Sequence, residues 1–228
     1  MIKKIKSIFD RAFKKQEVEV GHSIAGYPEG WPKTSAEFEV FWNNKEAKEF
    51  YFDPKRLAFY QEIISLLPSK LGQILDIGCG NGFLLNEITG NARFIMKNIT
   101  GIDFAESSLV EARKLLPKGK FIKADAILLP FSDKAFNTIL IIETLEHLEK
   151  WKQALKEAWR VLAPGGRLII TIPDGQIDHW RGHTNFWDRQ KFRKNLSFLV
   201  NPNVILRTDE GRTLFAILIK PKKQKVKH

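Results

Sequence analysis

Carboxylates recur in this chain where short apolar runs end, and glycines crowd behind the first of them. Asp76-Ile77-Gly78-Cys79-Gly80-Asn81-Gly82 overlaps the end of the apolar run Gln73–Ile77. Asp103, Asp125, Glu143 and Asp174 each close a later run. A carboxylate so placed accepts hydrogen bonds from hydroxyl and amino groups of a ligand; its plainer role is a helix N-cap or a solvated loop. Glycines let the backbone turn sharply and let a ligand approach it. The N–H groups that open the next helix are free to meet a carboxylate or phosphate. Two histidines follow, His147 in Glu143-Thr144-Leu145-Glu146-His147-Leu148 and His183 in Gly182-His183-Thr184-Asn185-Phe186-Trp187. Either is suited to proton transfer, or to fixing a loop or helix end.

The elements that must carry these residues alternate. Strands are predicted at Gln73–Ile77, Ile99–Asp103, Lys120–Ala124, Asn137–Ile142 and Arg167–Ile172, with helices at Phe83–Ile88, Glu106–Leu115 and Glu149–Leu162. That alternation predicts a parallel sheet covered by helices on both faces. Two further β-rich runs, Val204–Thr208 and Thr213–Ile219, flank Asp209-Glu210-Gly211-Arg212, a hairpin signal. Ligands of such sheets bind beyond the carboxyl ends of the strands, which is where the acidic residues fall. Upstream, Thr34 and Glu37 form a capping box, and an aromatic stretch follows with Phe38, Phe41, Trp42, Phe50, Tyr51 and Phe52. These aromatics suit a lid over an apolar substrate or a helix packed on the sheet. Pro54 opens a further helix and Pro68 ends it.

Glycine spacing separates two kinds of ligand turn. A dinucleotide turn needs G-x-G-x-x-G, and Phe83 stands where its third glycine would be. The pattern present, Asp-x-Gly-x-Gly-x-Gly, resembles motif I of the class I S-adenosylmethionine-dependent methyltransferases. Gly101-Ile102-Asp103-Phe104 with Ala112-Arg113 resembles the segment after it. Asp125-Ala126-Ile127-Leu128-Leu129-Pro130-Phe131 is similar to the family's Asp-Ala-x-x-Leu-Pro-Phe. Phe136-Asn137-Thr138-Ile139 resembles Phe-Asp-x-Val, with Asn137 in place of the usual Asp. Leu162-Ala163-Pro164-Gly165-Gly166 resembles the Leu-x-Pro-Gly-Gly turn of motif III. The resemblance covers about residues 54–220, and its Leu-Pro-Phe and Leu-x-Pro-Gly-Gly segments point to the small-molecule branch.

The resemblance implies an α/β, Rossmann-like, seven-stranded and mostly parallel sheet. Its order is 3-2-1-4-5-7-6, the last strand antiparallel, with helices on both faces and an N-terminal helical extension. It implies S-adenosylmethionine as cofactor and S-adenosylhomocysteine as product. Asp103 would then accept from the ribose hydroxyls, and Asp125 from the adenine amino group. The Ala126 N–H would donate to the adenine ring and Phe104 would lie against its face. Gly78, Cys79, Gly80 and Gly82 would approach the methionine part, Asp76 would orient its ammonium group or the turn, and Glu143 would complete the cofactor pocket.

Methyl transfer from a sulfonium demands chiefly in-line positioning, and a base only where the acceptor must lose a proton. His147 and His183 are the candidate catalytic residues, with the acceptor expected among Glu143, His147, Asp174 and His183. No metal is expected: His179 lies four residues before His183, near Asp174 and Asp178, but there is no HExxH and no cysteine cluster. The expected reaction is methyl transfer by direct displacement to a small-molecule or a lipid- or glycan-linked acceptor. An RNA-modifying methyltransferase and a non-catalytic cofactor-binding protein are the alternatives. Residues 143–146 are not the Asn/Asp-Pro-Pro-Tyr/Phe motif of enzymes that methylate amino groups of DNA or glutamine.

Composition bounds the rest. The 228 residues are 43% hydrophobic, enough for one α/β core with an added segment. The expected divisions are 1–53, a basic amphipathic helix with a loop and an aromatic helical cap; 54–220, the methyltransferase domain; and 221–228, a basic tail. No signal-peptide apolar region opens the chain, and the single cysteine, Cys79, reads as a small buried filler. A cytoplasmic location is expected, with a peripheral membrane contact as a further expectation. Of the net charge of +11, residues 1–15 hold six cations against Asp10 and residues 220–228 hold five lysines, so the body between is nearly neutral. That distribution argues against a nucleic-acid enzyme with a basic stripe on its folded face. Ile2, Ile5, Ile8, Phe9, Ala12 and Phe13 share one face of the predicted first helix, which suits docking on protein or on anionic lipid. In vesicle co-sedimentation, lipid binding is expected to need anionic lipid, to fall with salt and to drop on deletion of residues 1–15. Absence of binding at low salt would leave only docking on protein.

Overall fold

The computed structural model describes residues 34–43, 54–92, 99–178, 183–202, 204–208 and 211–222. The predicted first helix, the loop after it, Phe50, Tyr51, Phe52, His179, Asp209 and Glu210 lie outside the described residues, as does nearly all of the basic tail. Helix α1 is Ser35–Asn43 and α2 is Pro54–Leu66. Strand β1 (Ile74–Ile77) leads through the glycine turn to α3 (Phe83–Thr89), then β2 (Ile99–Asp103), α4 (Glu106–Leu115) and β3 (Lys120–Lys123). Next come β4 (Phe136–Ile142), a 3-10 turn (Leu145–His147), α5 (Trp151–Val161) and β5 (Leu162–Pro173). Helix α6 (Arg189–Leu196) precedes the hairpin of β6 (Val204–Thr208) and β7 (Thr213–Ile219). The capping box closes in both directions: the Thr34 N–H donates to Glu37 at 2.8 Å and the Glu37 N–H to the Thr34 hydroxyl at 3.3 Å.

The sheet runs β3-β2-β1-β4-β5-β7-β6. Strands β1 to β5 are mutually parallel, and β7 pairs antiparallel with both β5 and β6. Parallel strands are covered on both faces, so they read as continuous apolar runs, and period-two alternation sorts them into two cores. Leu75, Ile77, Ile139, Ile141, Leu168 and Ile170 meet α5 and α6 on one face. Ile74, Leu140, Ile169 and Phe215 meet α2, α3 and α4 on the other. Asp76 shares the Ile74 face, so its carboxyl is carried into this second layer and is 3% exposed. No helix among the described residues is long and apolar enough to cross a membrane.

Strand β5 begins five residues earlier than its apolar run predicts. Leu162 pairs with Phe136, and the register shifts before Arg167 meets Thr138, which takes the Pro164-Gly165-Gly166 turn into the sheet as an irregularity. Asn137, the departure from the family pattern, ties the sheet's start as an aspartate would: its Oδ1 accepts from the Gln73 N–H at 3.0 Å.

Arg160 on α5 holds the loop that carries Asp125. It donates to the carbonyls of Phe131 (2.7 Å) and Leu129 (3.0 Å) and forms a fork on Glu157, whose carboxylate accepts from the Leu129 N–H at 2.9 Å. The pair with Glu157 holds that carboxyl below its usual range. Arg160→Ala is expected to lower the unfolding free energy by about 1–2 kcal/mol in urea titration, given bonds to a charged group at a partly exposed site. Arg160→Lys should recover little of it, because a lysine cannot span the three acceptors.

Candidate active site

The strand order reverses between β1 and β4, and the crevice there is where open α/β sheets bind ligands. The turn after β1 is built against the end of β2. The N–H groups of Gly78 and Cys79 both donate to the Ile102 carbonyl at 2.9 Å. The Gly80 N–H donates to Asp103 Oδ2 at 2.9 Å, and the Ala105 N–H to its Oδ1 at 3.0 Å. Gly80 has φ +52°, and a Cβ there would lie 2.8 Å from the Trp42 ring, so that position tolerates no side chain.

A cavity of about 370 Å³ opens on this turn. Asp76, Gly78, Cys79, Gly80, Asp103, Phe104, Asp125, Ala126, Glu143 and His147 all line it. Gly82 does not: it precedes α3 with φ +77°, and a Cβ would meet Ala112 of α4 at 3.0 Å, so its role is helix packing. Asp125 sits at the exposed rim, its Oδ1 accepting from the Ile127 N–H at 3.0 Å.

Electrostatics concentrate at the cavity floor. Asp76 Oδ1 is buried with no hydrogen-bond partner among the described residues. Burial and then the charge of Asp103 push the Asp76 carboxyl up to about 7. Burial also raises Asp103, against the opposing N–H donors of Ala105, Gly80 and Phe104. Burial together with the charges of Asp103 and Asp76 pushes the Cys79 thiol well up, which leaves it a filler and no nucleophile.

The aromatic stretch proves to be both packing and cover. Phe41 of α1 is fully buried, while Phe38 and Trp42 line the cavity. Phe38 packs on Phe104 with centroids 5.0 Å apart and edge-on to His147 at 5.7 Å. Glu39, the next residue, latches this helix down. It accepts from the N–H groups of Glu106 (2.6 Å) and Ser107 (2.8 Å) at the start of α4 and from Lys123 at 3.0 Å. Burial pushes its carboxyl up, but these donors outweigh it and hold it at about 2. The latch left no sequence signal, because it joins residues 67 positions apart.

The wall beyond β4 carries the candidate catalytic residues. Glu143 lies at φ +47°, an unusual backbone for a glutamate. It pairs with Arg56 of α2, which also lies over the rings of Phe59 and Tyr60. Arg56 lines the cavity and was not singled out in the sequence. His147 lines the cavity; His183 does not, and is 9% exposed behind it, with ring centroids 4.8 Å apart. His183 Nδ1 meets Asp178 Oδ2 at 2.5 Å. Thr184 and Asn185 hold this loop on the 3-10 turn: their N–H groups donate to the Glu146 carbonyl, and Asn185 Nδ2 donates to the carbonyls of Leu145 and Leu148 at 2.8 Å each. Asp174, expected at the acceptor site, is instead buried at 1% exposure, off the cavity, with Oδ1 accepting from the Gln176 N–H in a local turn. Glu146, passed over in the sequence, is 1% exposed, and its Oε2 has no hydrogen-bond partner among the described residues. Burial and then the Glu143 charge push its carboxyl well up.

The Asp76 shift has a sign that can be read. A carboxyl raised in the folded state favours folding below its unfolded pKa and loses that contribution as pH rises through the folded value. Relative to wild type, Asp76→Asn should therefore gain stability between pH ~4 and ~7, by on the order of 3 kcal/mol, with no further change above. Urea unfolding of both proteins across pH 4–8 measures it. A constant offset over that range would exclude the raised carboxyl.

Residues 75–170 match the family model described as "Methyltransferase domain". The demethylmenaquinone methyltransferase of Thermus thermophilus is 38% identical over 105 residues, 43% of this chain and 46% of that protein. The ubiquinone biosynthesis O-methyltransferase of Idiomarina loihiensis is 27% identical over 205 residues, 84% of this chain and 82% of that one. The chain spans about half the length of the first curated relatives it matches. The crystal structure of N-methyltransferase NodS from Bradyrhizobium japonicum WM9, a complex with S-adenosyl-L-homocysteine, covers 84% of this chain and all of that one, with TM-score 0.69 and 18% identity, and so speaks for the fold. The match over 75–170, the strand order and the glycine turn together make this segment similar to a methyltransferase domain.

Proposed function

We propose that the chain transfers a methyl group from S-adenosylmethionine to a small, largely apolar acceptor through a hydroxyl or amino group, by in-line displacement. The observation that carries this is Asp76 Oδ1, a buried oxygen without a hydrogen-bond partner among the described residues, on the floor of a cavity whose turn admits no side chain at Gly80. Such an oxygen fits the ammonium group of the cofactor's methionine part. S-adenosylmethionine, when bound, supplies a methyl already activated on a sulfonium. Asp103 and Asp125 would accept from the ribose hydroxyls and the adenine amino group. Phe104 and Phe38 offer faces for the ring, and the buried floor keeps water from the reacting centre.

The acceptor side is the wall of Glu143, Arg56 and His147, under Phe38 and Tyr60. Its aromatic lining supports an apolar acceptor, and the two relatives named for menaquinone and ubiquinone support a small, ring-bearing one. His147 is the residue that meets and activates the acceptor. His183, oriented by Asp178, is a positioning residue behind it. The basic segments 1–15 and 220–228 suit an acceptor carried in an anionic lipid surface, which the vesicle experiment reads.

Asp103→Ala is expected to weaken S-adenosylhomocysteine binding by about 1–3 kcal/mol, through loss of charged hydrogen bonds; calorimetry measures it. Unchanged affinity, or tight NADH binding by the wild type, would overturn the reading. With an acceptor found by screening quinols and phenols, His147→Ala should lower turnover by about 10²–10⁴ while leaving S-adenosylhomocysteine affinity nearly unchanged.

A further inference from the structure

We infer that Glu146, His147 and His183 form a binding site for one divalent transition cation of the zinc type, at the acceptor wall of the cavity. One potential donor atom from each residue lies within 4.8 Å of the others. Two imidazoles and one carboxylate are a donor set that zinc accepts, with the fourth position open. The bond lengths of about 2.0–2.2 Å are reached by side-chain shifts of roughly 1 Å.

Three observations converge on a cation. Glu146 Oε2 is buried, with no hydrogen-bond partner among the described residues, in a segment whose Leu145, Glu146 and Leu148 carbonyls are held by Thr184 and Asn185. A buried carboxylate oxygen left so is costly unless something positive meets it. His183 Nδ1 is engaged by Asp178 Oδ2 at 2.5 Å, the arrangement by which a carboxylate orients a metal-ligating imidazole that binds through Nε2. His147 lines the cavity while Glu146 and His183 lie behind it, so the open position would face the acceptor. The arginine at this wall, Arg56, forms its ion pair with Glu143, and its charge also acts on Glu146.

Placement at the acceptor wall rests on the methyltransferase reading; binding of the cation does not. A hydroxyl taking the open position would be made more acidic there, its proton passing to solvent, and His147 would act as a ligand rather than as a free base.

The test uses the full untagged chain, stripped with a chelator and titrated with Zn²⁺ and with Co²⁺. One equivalent is expected to bind, with visible Co²⁺ absorption of low-symmetry, four- or five-coordinate type. Glu146→Gln and His183→Ala should each weaken binding at least tenfold, and Asp178→Asn by about 10–100-fold. S-adenosylhomocysteine affinity, measured on every variant without metal, reports that the fold is intact. No stoichiometric binding, or binding unchanged in Glu146→Gln and His183→Ala, overturns the site and leaves His147 as a direct base. Loss of S-adenosylhomocysteine binding by the wild type would instead strike the cofactor reading, which the metal titration does not touch.

Discussion

The turn after β1 is bonded to the end of β2, and the site depends on that join. Two N–H groups converge on the Ile102 carbonyl and a third on Asp103. The backbone can make these bonds only where it takes left-handed conformations and where no Cβ intervenes between the turn and Trp42. The same bonds place Asp103 beside Asp76, so two carboxylates share a floor closed to water. Each raises the cost of ionising the other. A floor of that kind is poorly satisfied alone, and a cationic, hydroxyl-bearing ligand relieves it.

The opposite wall is assembled by different means. Side-chain amides and hydroxyls shape it. Asn185 and Thr184 reach across from the segment after β5 to hold the carbonyls of the 3-10 turn after β4. That staple fixes the backbone of Glu146 and His147 while leaving their side chains to meet a ligand. Arg56 answers Glu143 from a third element, α2. Three segments far apart in sequence therefore meet at one wall, which suits a surface that must be rigid before the acceptor arrives.

Between floor and wall lies α1, packed by its aromatics and latched by one acidic residue. Glu39 supplies the N-terminus of α4 with the acceptors that its own N-cap, Ala105, lacks. One interaction thus caps a helix of the sheet layer and seats Phe38 and Trp42 over the ligand space. Stability of the fold and closure of the site are coupled through it.

The sequence by itself determined the parallel sheet, its alternation with helices, the glycine turn and the acidic residues beyond the strands. These are local signals: apolar runs of strand length, helix caps, turn glycines, and carboxylates next to them. Asp76, Asp103 and Asp125 were legible for that reason, each lying within a residue or two of a strand end. Tertiary structure alone decided which of the recurring carboxylates share a cavity. Asp174 has the same sequence signature as Asp103, yet the chain turns it into a local loop bond, because β5 is followed by a tight turn. Gly82 belongs to the motif but faces α4, since the helix it precedes must pack there. Arg56, Glu39 and Glu146 gain their roles from partners on other elements, and the pairing of His183 behind His147 arises where the loop after β5 folds back on the turn after β4. Such distances are set by how layers pack, which no local pattern encodes.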